Sequence, residues 1–565
     1  VDDITRIRHK IDGLSQYCFF HCNRPDIKVA CILDTFSYEC FKYECLLEQL
    51  KLQTWKPQMQ KLKPLFLFVE SALGGVDNSW RNKLTRKANA SKKELLELIA
   101  YCKKNKIITV FWNKEDPVHY AHFISTAKLF DYIFTTDEDC VEKYIRETGH
   151  KKVYTLPFAA QPIIHNPVNT SSYLDKENVA FAGTWYVGEH IERQEDMHLV
   201  LKPAKEFGLH IFDRMNTFDG TNYKFPLQYR SHIIGELNYN DMLKVYKLYK
   251  VFLNVNTVKN SRTTFSRRVF EILASGTNLL TTHSKGIKNM FGNLVAFTAS
   301  MEETRTKLSF LLNNPEHSER LGLLGIREVH AKHLYKHRFN TILEKIGFVP
   351  TVNNGFGVSI ITCLKDEKSI QRLVETFQSQ TLKDKELVII SKQSVAHWSA
   401  KGNIYPNVSI FLIPEDKTTN YCLNFALGKT KYDYITFFDV GNYYGPNFLT
   451  DLMNAFSYTD ADVVGKDCYY TYREDTKLLL QKNTNQQNRF VTLLRSEAMI
   501  VKKTLFHSVI LREELDLFFA ECVKKGFKIY SADKYNFIKK IKKCNQENED
   551  KIVTYTDDVN SYVTI

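Results

Sequence analysis

The sequence predicts an α/β protein made of two successive doubly wound parallel sheets facing a cleft, followed by a third, differently organised α/β region. Three observations carry that expectation. Short β-branched or aromatic runs alternate with stretches of helical periodicity. Proline-marked polar segments interrupt the alternation near residues 161–174 and at Pro350. The chain has 565 residues, which at ~150 residues per domain provides for three or four separate cores.

In the first region the runs Ile27 to Leu33, Leu65 to Glu70 and Ile107 to Trp112 read as strands, and DYIFTTD and KVYTLPFAA add two more. Between them SKKELLELIAYCKKNK reads as a helix, with Leu95, Leu96, Ile99 and Cys102 on its apolar face and Ser91 as N-cap. The stretch 161–174, QPIIHNPVN and its sequel, reads as a linker. The second region repeats the grammar with strands NVAFAGTWY, LHIFDR, VFLNVN and NLLTTH and helices NDMLKVYKLYK and RRVFEILASG, where Gly276 stands at the helix stop. One long helix from Pro315 to Gly347 closes it. A third region restarts at GVSIITCLKDE. The expected domains are 1–170, 175–350 and 355–565.

Composition excludes several classes. Hydrophobic residues at 44%, charged residues at 25%, 23 Gly and 14 Pro are ordinary for a globular protein and rule out collagen-like or linker-dominated chains. Lys and Arg number 77 against 64 Asp and Glu, a formal charge of +13 that suits an anionic partner. The twelve Cys include no C-x-x-C pair, which argues for buried free thiols in a reducing, cytoplasmic setting. No apolar run approaches the ~18 residues of a membrane span, and no charged-then-apolar leader pattern opens the chain.

The segment from Val251 to Thr277 carries the most chemistry. A strand ends on Asn254 and Asn256, a polar loop follows, Ser266 can cap a helix, and Arg267, Arg268 and Glu271 occupy its first turns. Helix N-terminal N–H groups attract phosphate and guanidinium groups bind it bidentately. A carboxylate one turn later suits the two hydroxyls of a ribose. An Arg–Glu pair on a solvated helix, worth ~0.3–0.5 kcal/mol, fits the same pattern.

Together FVESALGG, FWNKEDPVHY, AKLFDYIFTTDEDCVEKY, LPFAAQPIIHNP, FAGTWY, YKVFLNVN and FSRRVFEILASGT resemble the CgeB-like spore-maturation glycosyltransferases, over residues 27–347. The resemblance implies a GT-B fold related to the retaining family four. It implies transfer of a sugar from a nucleoside-diphosphate donor, with UDP favoured, held by the second domain, to an acceptor held by the first. It also implies that no metal or other cofactor is required, because protein cations and helix dipoles neutralise the departing diphosphate. On that resemblance Glu271 matches the second acid of the family's E-x7-E signature, expected on the ribose, while Arg267 and Arg268 fall at the diphosphate. Thr263 stands where the first acid belongs. Gly183 would face the cleft on the first loop of the second domain, with Asn256, Tyr186 and Arg214 as further donor-side candidates.

On the acceptor side FWNKEDPVHY concentrates Asn113, Glu115, Asp116 and His119 at a strand end. Glu115, Asp116 and His119 are the candidates for orienting the acceptor hydroxyl or stabilising charge at the anomeric carbon. Glu70 is a third cleft carboxylate, followed by Gly74 and Gly75 as a flexible loop. His330, His333 and His337 have the spacing to present imidazoles from one helix, but the flanking cations disfavour a divalent metal. Lys539, Lys540, Lys542 and Lys543 read as a solvated face.

The third region resembles the nucleotide-binding core of family-two GT-A glycosyltransferases. Asp439 holds the place of the first acid of Asp-x-Asp, but Gly441 replaces the second, which leaves poor metal coordination. Glu513 and Glu514 match the position of the acceptor base. A degenerate GT-A-like domain, used for acceptor binding, architecture or oligomerisation, is therefore expected. The implied partners are a nucleotide sugar and an anionic surface glycopolymer such as teichoic acid or a spore-surface acceptor, rather than nucleic acid. The charge also suits peripheral contact with the inner face of a membrane.

Overall fold

In the first unit the strands form where the apolar runs fall, and the helices that connect them let them pair in parallel and cover both faces of each sheet. The computed structural model describes residues 3–72, 74–85, 92–170, 175–188, 190–349, 356–364, 368–392, 405–510, 515–542 and 551–565. The chain divides into two units, Val1–Pro350 and Thr351–Ile565.

The first half of the first unit contains β1 (Lys28–Ile32), β2 (Leu46–Gln49), β3 (Phe66–Glu70), β4 (Ile108–Asn113), β5 (Tyr132–Thr135) and β6 (Val153–Thr155). They form one parallel sheet of order β2-β1-β3-β4-β5-β6. The second half contains β7 (Glu177–Gly183), β8 (Leu209–Asp213), β9 (Ile233–Gly235), β10 (Tyr249–Asn254), β11 (Asn278–Thr281) and β12 (Ala296–Phe297). Their order, β12-β11-β10-β7-β8-β9, is the doubly wound parallel arrangement whose strand order reverses at β7/β10.

Strand periodicity sorts the core. Along β1, Val29 and Cys31 enter a core that also contains Ala180, Phe252 and Val269 of the second half, whereas Ala30 and Ile32 enter a separate outer core with Leu95 and Leu98. The shared core also takes in the helices at both ends of this unit. Helix Tyr335–Lys345 sets Tyr335 against Phe41, with ring centroids 4.8 Å apart. Helix Asp3–Asp12 reaches the opposite half, where Arg6 and Lys10 both lie 2.6 Å from Glu177.

Several local expectations change. The apolar stripe of helix Lys93–Lys104 runs through Leu95, Leu98 and Cys102, while Leu96 is 50% exposed; Ser91 lies outside the described residues. Residues 161–168 are not a surface linker. They are buried, because Gln161 bonds the Cys40 carbonyl and Glu44, and Asn166 bonds the carbonyls of Pro162 and Ile163. The expected long helix is two, Pro315–Lys332 and Tyr335–Lys345. The break at His333 and Leu334 frees backbone that pairs with Ala160 of the first half.

The second unit opens on parallel strands β13 (Val358–Leu364), β14 (Lys385–Ser391), β15 (Val408–Leu412) and β16 (Tyr434–Phe437). It continues with β17 (Tyr443–Tyr444), β18 (Val463–Gly465), β19 (Tyr469–Arg473), β20 (Leu478–Lys482), β21 (Arg489–Val491), β22 (Met499–Lys502), β23 (Ile529–Ser531), β24 (Phe537–Ile541) and β25 (Lys551–Tyr555). One mixed sheet has the order β15-β14-β13-β16-β22-β18-β23-β21, and a smaller one β17-β24-β19-β20-β25.

Candidate active site

Parallel strands deliver the residues after their C-terminal ends to one side of the sheet, where open α/β sheets bind ligands. In the second half those residues surround a pocket of about 250 Å³. Of the seven donor-side candidates, Gly183, Tyr186, Arg214, Asn256 and Arg268 line it. A Cβ at Gly183 would lie 2.9 Å from the Phe181 ring, so glycine keeps this wall open.

Arginine dominates the lining. Arg268 donates to the Ala182 carbonyl, and its Nε is buried without a partner. Arg214 donates to the Tyr186 hydroxyl at 3.3 Å. Arg193, absent from the sequence-based candidates, donates to the Thr184 carbonyl at 3.0 Å. Burial, together with the nearby Arg268 and Arg214 guanidiniums, pushes the Arg193 pKa down. Among the described residues, none of the three forms an ion pair with a carboxylate. The hydroxyls of Thr184 and Thr264 are also buried without partners. A signal for Arg193 was present: a cation in the first turn of helix Ile191–Ala204 opposes the helix dipole.

Asn256 shapes the rim rather than offering its amide. Its Nδ2 donates to Thr281 Oγ1 at 3.0 Å and its Oδ1 accepts from Asn254 at the same distance. Arg267 and Glu271 depart further from expectation. The helix Arg268–Ala274 is buried along most of its length, so the pair is drawn inward rather than opened to a ribose. Glu271 is 1% exposed, accepts from Tyr246 at 2.8 Å and pairs with Arg267 at 2.8 Å. Burial opposes its charge, yet Arg267 holds the Glu271 carboxyl below the ordinary range. His165, from the supposed linker, is pushed down to about 4 by burial and meets the Tyr239 hydroxyl at 2.9 Å. The Arg267 guanidinium lies 4.2 Å from the Phe36 ring centroid of the first half. Ser266 does not cap the helix by its side chain, since the cap residue is Arg267 and the Ser266 carbonyl accepts from Val269.

Thr263 joins the halves. Its hydroxyl accepts from the Glu138 amide at 2.9 Å and donates to the Thr136 carbonyl at 2.8 Å. Ser261 donates to Asp137 at 2.7 Å beside it, and Arg262 pairs with Glu138.

The three acceptor-side candidates have separate surroundings. Asp116 is buried, accepting from Asn113 and Thr135 at 2.7 Å each, and burial pushes its pKa up to about 7. It anchors the turn after β4 from within. His119 is exposed at the start of helix Tyr120–Ala127, stacked on His122 with centroids 5.3 Å apart. Glu115 is half-buried, and its carbonyl accepts from the His119 amide.

Glu70, expected at the cleft, forms a charged cluster with Lys114 and Asp34, neither of which was a candidate from the sequence. Lys114 Nζ lies 2.9 Å from both Asp34 and Glu70 and 4.2 Å from the Phe36 ring centroid. Burial disfavours the Lys114 ammonium, but Glu70 and Asp34 outweigh it and raise its pKa. Glu70 is fully buried, and its oxygens accept from the Asp34 amide and the Ser37 hydroxyl at 2.5 Å each. Gly75 adopts a φ of +76° and donates to Asp34, so this glycine is part of the cluster. The signal was positional: Asp34, Glu70 and Lys114 each stand at or just beyond the end of a buried strand.

The histidine set does not converge. His337 accepts the Leu334 amide and His333 contacts Arg338, while burial pushes His330 and His333 down to about 3 and His337 to about 4. Among the described residues no group of three or more His, Cys, Asp or Glu could hold a metal ion.

In the second unit Asp439 is exposed, and its Oδ1 accepts from the Gly441 amide at 2.8 Å. Tyr444 donates to the Glu497 carbonyl and meets the Asp439 amide at 3.0 Å. Lys539 pairs with Glu497 at 3.1 Å instead of extending into solvent, and burial lowers the Lys540 pKa. Glu513, Glu514 and Lys543 lie outside the described residues.

Residues 193–344 match the Glyco_trans_1_2 family, described as glycosyl transferase-like, and residues 358–515 match glycosyl transferase family 2. The chain thus carries two glycosyltransferase-type domains, the first in a GT-B and the second in a GT-A-like architecture. Crystal structures of S. aureus TarS 1–349, alone and in complex with UDP-GlcNAc, are similar at 15% identity with a TM-score of 0.26. Those alignments cover 33% and 34% of this chain and 60% of the TarS chains. No curated protein matches the sequence. Among the described residues no helix is long and apolar enough to cross a membrane.

Proposed function

We propose that the first unit transfers a sugar from a nucleoside-diphosphate sugar, UDP-linked by preference, to a hydroxyl of an anionic surface glycopolymer. The supporting observation is the pocket where Arg193, Arg214 and Arg268 converge without a carboxylate partner among the described residues. Three guanidiniums held together repel one another, and a diphosphate relieves that repulsion through charge-assisted bonds. The orphaned Arg268 Nε and the Thr184 and Thr264 hydroxyls add donors of the kind phosphate oxygens take.

Within the glycosyltransferases, the motifs over residues 27–347 favour a CgeB-like, retaining and metal-independent enzyme. Guanidiniums then stabilise the leaving diphosphate in place of a divalent ion. The acceptor class rests on the +13 charge, which favours a phosphate-rich polymer such as teichoic acid. The unpaired cysteines favour work in the cytoplasm, and the charge favours contact with the inner membrane surface. The domain limits 1–170, 175–350 and 355–565 belong to this reading.

A second reading places catalysis in the second unit, favoured by its family-two match and by Asp439. Gly441 weighs against it, because one carboxylate is a poor divalent site. Calorimetry with UDP, followed by UDP release from UDP-glucose and UDP-GlcNAc with and without EDTA, tests both. The first reading expects UDP binding weakened in Arg268→Ala and turnover indifferent to EDTA. Turnover abolished by EDTA and by Asp439→Ala would move the chemistry to the second unit.

A further inference from the structure

Asp34 stands at the N-cap of helix Thr35–Phe41, where an aspartate ordinarily turns its carboxylate onto the first-turn amides. It makes no such bond. Its Oδ2 instead accepts from Lys114 at 2.9 Å and its Oδ1 from the Gly75 amide at 3.3 Å. The carboxylate is thus held away from its own helix by two donors from other strand ends.

The surrounding groups are organised to hold it there. Glu70 fixes the Asp34 amide and the Ser37 hydroxyl, and Lys114 bridges the two carboxylates. Glu70 and Lys114 are 0% and 4% exposed, whereas the Asp34 side chain is 29% exposed. Asp34 is therefore the member of the cluster that an incoming molecule can touch. The cluster also meets the second half, which carries the arginine pocket. Phe36, two residues on, has Lys114 Nζ 4.2 Å from its ring centroid, and the Arg267 guanidinium is equally near. Arg267 immediately precedes Arg268 of the pocket.

We infer that Asp34 is a catalytic residue of the transfer, accepting a hydrogen bond from the acceptor hydroxyl, with Lys114 and Glu70 as its positioning residues. The inference rests on the donor reading of the arginine pocket. In the step, the acceptor oxygen bonds to the anomeric carbon as the bond from that carbon to the diphosphate oxygen breaks. The electron pair leaves with the diphosphate, which the arginines receive, and the hydroxyl proton, held toward Asp34 in the bound state, turns from it to the departing oxygen as that oxygen gains charge. Asp34 aims the hydroxyl, with Lys114 limiting its repulsion of the diphosphate.

The test uses the full chain, with UDP as the binding probe and UDP-glucose and UDP-GlcNAc as donors. Water serves as the acceptor and UDP release as the readout. Asp34→Asn keeps the shape of the side chain and is expected to bind UDP within about twofold of wild type while kcat falls by roughly 10²-fold or more. Lys114→Met should lower kcat with little change in donor KM, and Lys114→Arg should recover part of the loss. Retained UDP binding shows that the variants fold. If Asp34→Asn binds UDP and keeps kcat within about threefold, Asp34 is not catalytic and the donor reading stands. If the wild-type chain binds no UDP, the donor reading and this inference fall together.

Discussion

Arg267 and Arg268 are neighbours in sequence and have opposite circumstances. Arg267 belongs to a closed polar network in which Glu271, Tyr246, Tyr239 and the Phe36 ring satisfy one another between the halves of the first unit. Arg268 belongs to an open pocket, with Arg193 and Arg214 nearby and a buried Nε still unpaired. The lesson is that charge at the ends of parallel strands serves two purposes. Where each charge has its partner, it fixes the geometry of the halves. Where cations face only one another, they await an anion.

The sharpest way to break this contrast is through pH, because closed groups should register in stability and open ones in binding. Asp116 is buried with its pKa raised from 3.8 to about 7, so the folded state keeps a proton that the unfolded chain has released. Stability should therefore fall as pH rises from about 4 to 7, by up to roughly 4 kcal/mol. Asp116→Asn should flatten that limb in melting curves taken across the range. A slope unchanged by the substitution would mean that Asp116 is not a closed group.

Glu271→Gln should cost about 3 kcal/mol of stability at neutral pH, because it leaves Arg267 unpaired inside the network. Its pH signature runs the other way. The folded pKa lies below the ordinary 4.5, so the wild-type contribution is complete above that pH and is lost as pH falls through the folded value. Denaturant melts at pH 7 and pH 3 should show the variant's deficit shrinking in acid. Weakened UDP binding with unchanged stability would instead return Glu271 to the ribose.

Arg268→Ala should leave the melting temperature nearly unchanged and weaken UDP binding about 10- to 100-fold, the loss of charge-assisted bonds worth about 1.5–3 kcal/mol. Isothermal titration separates this from the Glu271 result. The smallest expected effect is in the second unit. Asp439→Ala should change neither UDP binding nor turnover, because that carboxylate bonds its own loop at Gly441. An EDTA-sensitive turnover lost in that variant would overturn the assignment of catalysis to the first unit.

Much of the fold was legible because strand periodicity and strand-end chemistry are local. Runs such as Phe66–Glu70 and Tyr249–Asn254 declare buried parallel strands by themselves, and Gly276, with φ at +70°, marks its helix stop as expected. The FAGTWY loop and the RRVFE helix were expected on one side of the cleft, and Gly183, Tyr186, Arg214 and Arg268 line one pocket. What local pattern misjudged was burial. Prolines made 161–168 read as a linker, yet its polar side chains are paid for by partners more than a hundred residues away, at Cys40 and Glu44.

By itself the sequence determined most of the buried strands, that the sheets are doubly wound and which loops carry arginine, because propensity, periodicity and strand ends depend on near neighbours. Only the tertiary structure decided which charges are closed and which are open. Glu271 and Asp116 turned inward because their partners, Arg267 with Tyr246 and Asn113 with Thr135, complete hydrogen bonds in the core. Arg193 joined the pocket, and Asp34 and Lys114 emerged as the cluster facing the second half, because three strand ends and a ring from one half meet a helix from the other. The fate of a charge depends on what surrounds it in three dimensions, and that information is spread over residues far apart in the chain.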